Sequence, residues 1–184
     1  MDDGASTCLG RTRSKGVWFT FTPAQTGTAT VDTCPSGFDT MIEIFTGRCD
    51  VLTSIGCNDD GTCGTRSSFT FACLGGTTYS IWAGGYNGAS GNLEIRAAMA
   101  PANDACGGAI ALSENVYYPQ NTANATDDGV SACLGRTRTK GVWFTYTPSQ
   151  TGAATVDTCP SDFDTSLEIF SGGCGALTSI GCNE

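Results

Sequence analysis

Histidine is absent from the 184 residues, and lysine and arginine together number only nine. Without histidine the commonest general base of enzymes is missing, and no Gly-x-Ser-x-Gly motif supplies a nucleophile, so we expect no catalytic activity. A net charge of −9 and so few cations argue against a nucleic-acid partner, which needs clustered positive charge. No apolar run approaches the roughly 20 residues that a membrane-spanning helix requires, so no membrane span is expected.

Eleven cysteines are the most unusual feature of what is present. The closest two, Cys57 and Cys63, are six residues apart, so the paired Cys-x-x-Cys knuckles of a four-cysteine zinc site are absent. Oxidised pairs in an extracellular, secreted protein are therefore favoured. An odd number of cysteines leaves at least one that is free or bonded to another chain.

The sequence contains an internal repeat. Residues 2–59 match residues 127–184 at an offset of 125 without a gap, with 44 of 58 positions identical. We expect one β-sandwich repeat in residues 1–98 that lacks its N-terminal segment, a short linker over residues 99–102, and a second repeat in residues 103–184 that lacks its C-terminal strands. The missing strands would belong to a longer polypeptide or, as the alternative, come from a neighbouring chain.

Apolar and polar residues alternate with a period of two, which indicates strands throughout, and helical periodicity is nearly absent. Val17, Phe19 and Phe21 share one face of such a run, as do Ile42 and Ile44 in a later one. Clusters of Gly, Pro, Asn and Asp separate the runs. This pattern predicts an all-β protein, an antiparallel sandwich or barrel held by disulfides and repeated in tandem.

Three segments resemble known secreted modules. Residues 36–47 resemble the Asp-x-Leu-x-Ile-x-x-Gly core of CUB domains, whereas residues 103–106 and 75–81 are similar to bacterial pre-peptidase C-terminal domains and related repeats of large secreted proteins. The resemblance implies a jelly-roll-like sandwich, an extracellular location and often a calcium ion, but no activity. It also implies a disulfide between Cys106 and Cys133, whose separation of 27 is that of the first CUB disulfide.

The remaining cysteines are assigned from the expected alternation of strand direction. Cys49 and Cys73 would lie in loops at one pole of the sandwich, and Cys34, Cys57 and Cys63 at the other. We therefore expect Cys49 to pair with Cys73, and either Cys34 or Cys63 to pair with Cys57. A complete unit would contain seven cysteines, so one thiol per unit is left over and is available to link neighbours.

Acidic residues collect at one expected pole, which suggests a calcium site because Ca²⁺ takes six to eight oxygen ligands. The alternative is that these residues only cap turns, where Asp and Asn are favoured. The candidate ligands in the first copy are Asp2, Asp3, Asp39, Asn58, Asp59 and Asp60. Those in the second copy are Asp127, Asp128, Asp164 and Asn183, and they would form a weaker site.

Two further features suggest contact with carbohydrate. Trp82 and Tyr86 flank Gly84-Gly85 and would form an aromatic platform for a sugar ring, unless they pack in the core or on a sheet face. Asn124-Ala125-Thr126 is an N-glycosylation sequon on an expected surface segment.

These features together predict an extracellular structural or assembly protein, in which calcium-stabilised tandem sandwiches form a filament, sheath or cell-adhesion stalk. The expected partners are neighbouring copies, placed head to tail. A basic cluster of Arg11, Arg13 and Lys15 would either be a solvated loop or meet the acidic pole of the next unit. The alternative function is a lectin-like or substrate-targeting accessory module of a secreted hydrolase, with glycans as partners.

Overall fold

The computed structural model describes residues 2–6 and 10–184 and divides into two compact units, Met1–Ala100 and Pro101–Glu184. The all-β prediction is confirmed, since the described residues contain strands and only two short 3₁₀ turns, Tyr86–Gly88 and Cys106–Gly108. The division falls inside the expected linker, although Met99 still belongs to the last strand of the first unit. Within the described ranges, no helix is long and apolar enough to cross a membrane.

The first unit has a four-stranded and a three-stranded antiparallel sheet together with a hairpin. The sheets have the strand orders β3-β8-β5-β6 and β7-β4-β9, and β1 pairs with β2. The strands are β1 Asp2–Ala5, β2 Thr12–Ser14, β3 Val17–Phe21, β4 Gly27–Asp32, β5 Thr40–Arg48, β6 Val51–Asn58, β7 Ser68–Cys73, β8 Tyr79–Gly85 and β9 Arg96–Met99.

The main core of this unit lies between the two sheets. Inward-facing residues of β4 and β7 pack against those of β5 and β8, and Leu93 and Ile95 cover the side of the cluster from a segment without strand structure. Because side chains alternate along a strand, Ile42 and Ile44 of β5 enter this core together. The cluster is Ala29, Val31, Ile42, Ile44, Phe71, Cys73, Tyr79, Ile81 and Ala83.

The other face of the four-stranded sheet is buried over its two central strands, β5 and β8. Met41 and Phe45 of β5 and Trp82 of β8 form a second cluster there, with Leu52 packed against it. Glu43 points to the same face, is 1% exposed and pairs with Arg13 of β2 at 3.1 Å. The first six residues of β5 are therefore buried on both faces, as in a central strand.

The second unit has four strands, β10 Ile110–Ala111, β11 Phe144–Thr145, β12 Leu167–Ser171 and β13 Thr178–Asn183. The β12–β13 pair is antiparallel, whereas β10 and β11 pair in parallel, a departure from the antiparallel prediction.

One hairpin of the first unit recurs in the second. The β5–β6 and β12–β13 hairpins have identical registers under the offset of 125, with a β-bulge at the corresponding positions. Gly47 and Gly172 have φ values of 99° and 102°, a left-handed conformation that favours glycine in each hairpin. The sequence repeat is thus seen in the structure over this hairpin.

Candidate functional site

Asp39, Asp59 and Asp60 lie at one end of the four-stranded sheet, and we call them the acidic pole. Asp39 directly precedes β5 and the other two follow β6, whose last residue, Asn58, pairs with Ile42 of β5. The pKa of Asp39 is raised, first by burial and then by repulsion from Asp60 and Asp59. Its Oδ1 atom is buried without a hydrogen-bond partner. A cation would compensate this charge and this unpaired oxygen.

The acidic pole does not form a ready-made calcium cage. Among the side chains that the structure describes, no group of three or more Asp, Glu, Cys or His residues is arranged to hold a metal ion. Asn58 is committed elsewhere, since its Oδ1 accepts from the amide of Ser68 at 2.8 Å and its Nδ2 donates to the carbonyl of Asp60 at 2.9 Å. These bonds are those of a turn cap, the alternative role considered for this residue.

The candidate ligands of the second unit have other partners. Asp127 accepts from the amide of Lys140 at 3.2 Å, and Asp128 accepts from the indole N–H of Trp143 at 3.0 Å. Each bond links one of these aspartates to a residue 13 or 15 positions later, just before β11. Asp164 and Asn183 are exposed, and the side chains of Asp2 and Asp3 lie outside the described part of the chain.

The aromatic platform is not formed, and this expectation is wrong for a physical reason. Trp82 is 0% exposed in the second cluster beneath Gly16, where an added Cβ would overlap the indole ring. Tyr86 is half-buried, and the guanidinium of Arg11 covers its ring at 4.4 Å from the centroid. Strand alternation places Trp82 on the same face as Glu43, to which it is opposite in register.

The disulfides of the second unit differ from the expected pairing. Cys106 bonds Cys174, and Cys133 bonds Cys182, so the predicted Cys106–Cys133 bridge is wrong. Cys106 lies in the 3₁₀ turn before β10, and its partner lies in the turn between β12 and β13. Both bridges therefore tie the repeat-opening half of the unit to the β12–β13 hairpin.

In the first unit Cys34 bonds Cys63, so the predicted pairing of either residue with Cys57 is wrong. This bridge joins the turn after β4 to the loop between β6 and β7. Cys57 is also disulfide-bonded. The counterpart of the Cys133–Cys182 pair in this unit is Cys8 with Cys57, and Cys8 lies outside the described residues.

The predicted Cys49–Cys73 bridge is wrong as well. Neither cysteine is bonded. Cys49 is exposed in the turn between β5 and β6, whereas Cys73 is 2% exposed in the core. The thiol of Cys73 donates to the carbonyl of Gly27 at 3.4 Å, and its burial raises its pKa. Alternation with Phe69 and Phe71 along β7 was the signal that could have placed Cys73 inside.

The basic cluster makes contacts inside its own unit. Arg13 is 14% exposed and bonds Glu43, while Arg11 donates to the side chain of Asn87 at 2.8 Å, and Lys15 donates to the carbonyl of Gly88 at 3.2 Å. The solvated-loop expectation is thus wrong for Arg13. A glutamate between Met41 and Phe45, at a buried position, was the sequence signal for such a partner.

The same ion pair recurs in the second unit, where Arg138 bonds Glu168 at 3.0 Å. Burial alone would raise the pKa of Glu168. Hydrogen bonds from Ser131, Ser179 and Arg138, and the charge of Arg138, outweigh burial and lower it. In the second unit the pair therefore holds the carboxylate of Glu168 in its charged form, which is a structural role.

The sequon is accessible. Asn124 is exposed, and Thr126 is held by Asp104, whose carboxylate accepts from its amide at 2.6 Å and from its hydroxyl at 2.8 Å.

Comparison of the chain with protein-family models, curated proteins and solved structures finds no match. The resemblance to CUB and pre-peptidase C-terminal modules therefore stays a prediction.

Proposed function

We propose that this chain belongs to a non-enzymatic extracellular structural or assembly protein, in which tandem jelly-roll-like sandwiches form a filament, sheath or adhesive stalk. One observation carries the proposal. The β5–β6 hairpin recurs as β12–β13, and each unit exposes apolar side chains at positions that are more buried in the other unit.

The differences in exposure run in both directions. Ile44 of β5 is 0% exposed, whereas its counterpart Ile169 of β12 is 42% exposed. Phe38 is half-buried, whereas its counterpart Phe163 is 56% exposed. In the opposite direction, β3 is more exposed than the corresponding residues of the second unit. Exposed apolar surface marks association sites when it is contiguous, and these residues are the candidates for such a surface here.

Disulfide chemistry supports an extracellular location. Three bridges have both members described, and Cys57 is bonded too. Such bridges persist in oxidising environments and are rare in the cytosol. The inward-facing ion pairs support a structural role. The burial of Trp82 argues against the lectin-like alternative in the form that needs Trp82 and Tyr86 to be open to a sugar ring.

We also propose that calcium binds at the acidic pole, with Asp39, Asp59 and Asp60 as the first-unit ligands. The unpartnered Oδ1 of Asp39 and the repulsion that raises its pKa support this proposal. Calcium should raise the thermal midpoint of the first unit, and Asp39→Asn should remove most of that increase. Differential scanning calorimetry with calcium and with a chelator measures both, and an unchanged response in Asp39→Asn would contradict the assignment.

Negative-stain microscopy and sedimentation of the full chain test the assembly function. At high protein and calcium concentrations we expect extended particles. Ile169→Lys places a charge at an exposed position whose counterpart in the first unit, Ile44, is buried, and it should strongly reduce the number of extended particles. Val51→Lys is the matched control, because Val51 is 70% exposed at the start of β6 and should leave assembly unchanged. Isolated short monomers under all these conditions would refute the proposal.

A further inference from the structure

Strand β3 has an open edge. It pairs on one side with β8 and is the last strand of its sheet, and no other strand of the described chain pairs with it. Val17, Trp18 and Phe19 are 47%, 42% and 36% exposed. Their counterparts Val142, Trp143 and Phe144 are all half-buried in the second unit. Open backbone groups beside apolar side chains make a template for strand addition.

In the second unit the counterpart of β3 is covered by residues 103–112, which we call the repeat-opening segment. The carbonyl of Trp143 accepts from the amide of Ile110 at 3.2 Å, and the carbonyl of Thr145 accepts from the amide of Leu112 at 2.8 Å. By the offset of 125, the corresponding groups of the first unit belong to Trp18 and Thr20 of β3.

Asn103 fixes the start of the repeat-opening segment. It is 0% exposed, its side-chain amide donates to the carbonyl of Trp143 at 3.0 Å, and its own carbonyl accepts from the amide of Trp143 at 2.8 Å. The side chain and backbone of one asparagine thus satisfy both backbone groups of one strand residue. This pairing gives the segment a defined register along the strand.

A disulfide supplies the second, independent observation. Cys106 of the repeat-opening segment bonds Cys174 in the β12–β13 turn. The counterpart of Cys174 is Cys49, which is exposed and unbonded. The first unit therefore leaves open both features that hold the segment in the second unit, a strand edge and a thiol.

We propose that β3 and Cys49 together dock a repeat-opening segment supplied from outside residues 1–184, with the chemistry of residues 103–112. The segment adds in parallel to β3, its asparagine bonds the backbone of Trp18, and its cysteine bonds Cys49. The proposal rests on the proposed assembly function and names the contact that would link one repeat to another.

The covalent step is thiol–disulfide exchange with a low-molecular-weight disulfide. That disulfide accepts the two electrons, its bond breaks, and it leaves as two thiols that carry both protons, while the new bond forms between the two cysteine sulfurs. A second copy of this chain is a poor donor, because its residues 103–112 are held in their own unit by the Cys106–Cys174 bridge.

A synthetic peptide of residues 102–115 tests the docking on the full chain. The two are mixed in a buffer of oxidised and reduced glutathione, and mass spectrometry with peptide mapping locates the adducts. We expect one peptide per chain at Cys49, formed at least about tenfold faster than at Cys159, because strand pairing raises the local concentration of the peptide thiol. In the adduct, the amide of Trp18 should gain protection from hydrogen exchange.

Three controls make the result specific. Cys49→Ser should abolish the adduct, Cys159→Ser should keep it, and a scrambled peptide with its cysteine in place should lose the preference. Equal reaction of both thiols, or equal reaction of the scrambled peptide, would overturn the proposal, as would chain dimers linked through Cys49 and Cys106. Filaments without peptide capture would refute this docking and leave the assembly function standing. Peptide capture without filaments would refute the assembly function and leave the docking standing.

Discussion

The buried ion pair between Arg13 and Glu43 should contribute strongly to the stability of the first unit. The two side chains are 14% and 1% exposed, and Nη1 lies 3.1 Å from Oε2. At an effective dielectric constant of about 20, unit charges at this separation attract each other by about 5 kcal/mol. The guanidinium also lies over the ring of Phe45, at 5.2 Å from the centroid.

Arg13→Met keeps most of the aliphatic chain but leaves the carboxylate of Glu43 buried without its cation. The loss should be about 3–5 kcal/mol in the free energy of unfolding, the usual consequence of removing one member of a buried pair. Glu43→Met should be destabilising for the same reason. The double variant replaces both charges by apolar groups, so its loss should be well below the sum of the single losses.

Urea unfolding with the disulfides intact measures these energies. In a Trp143→Phe background, tryptophan fluorescence reports on the first unit through Trp18 and Trp82 alone. Arg48→Met is the control, because Arg48 is 91% exposed and its pair with Asp50 should contribute less than about 1 kcal/mol. A loss below about 1 kcal/mol for Arg13→Met, or strict additivity in the double variant, would refute the reasoning.

Three further outcomes are expected. Gly56→Ala should destabilise the first unit by about 1–3 kcal/mol in urea unfolding because the new Cβ overlaps the ring of Phe69, whereas Gly181→Ala, its counterpart with nothing within 4 Å, should be nearly neutral; equal effects would contradict this packing. Asp39→Asn in a chelator should raise the unfolding free energy at neutral pH but not in strong acid. Burial, then the neighbouring carboxylates, raise the pKa of Asp39, so its contribution is lost as pH rises through the folded value. For Glu168, burial raises the pKa, but hydrogen bonds and the paired arginine lower it by more, so the folded-state pKa lies below the ordinary one. The stabilisation from Glu168 is therefore present at pH values above the ordinary pKa and is lost as the pH falls through the folded-state pKa. Glu168→Gln should flatten that acid profile in urea titrations, and an unchanged slope would count against it.

Strand alternation in the sequence was enough to predict the all-β fold. Ile42 and Ile44 enter the core together, as their spacing indicates, and the internal match of residues 2–59 with residues 127–184 reappears as one shared hairpin register. These features depend on local periodicity, which the sequence displays directly.

Pairing of cysteines could not be predicted in the same way, because a disulfide depends on which turns meet in space. Cys106 reaches a turn 68 residues further along the chain, a separation that no spacing rule indicates. Trp82 was misplaced for a related reason. The residues of both faces of β8 are buried, so its alternation does not reveal which face is open to solvent.

The aromatic contacts of the repeat have a consequence for synthesis of the chain. Trp18 lies 5.5 Å from Phe45, and Trp143 lies 5.4 Å from Phe170, although the second unit has no described counterpart of β7, β8 or β9. Every partner in this arrangement belongs to one continuous stretch of 58 residues. In the first unit, the residues that make these aromatic contacts have thus been synthesised before β7, β8 and β9 leave the ribosome.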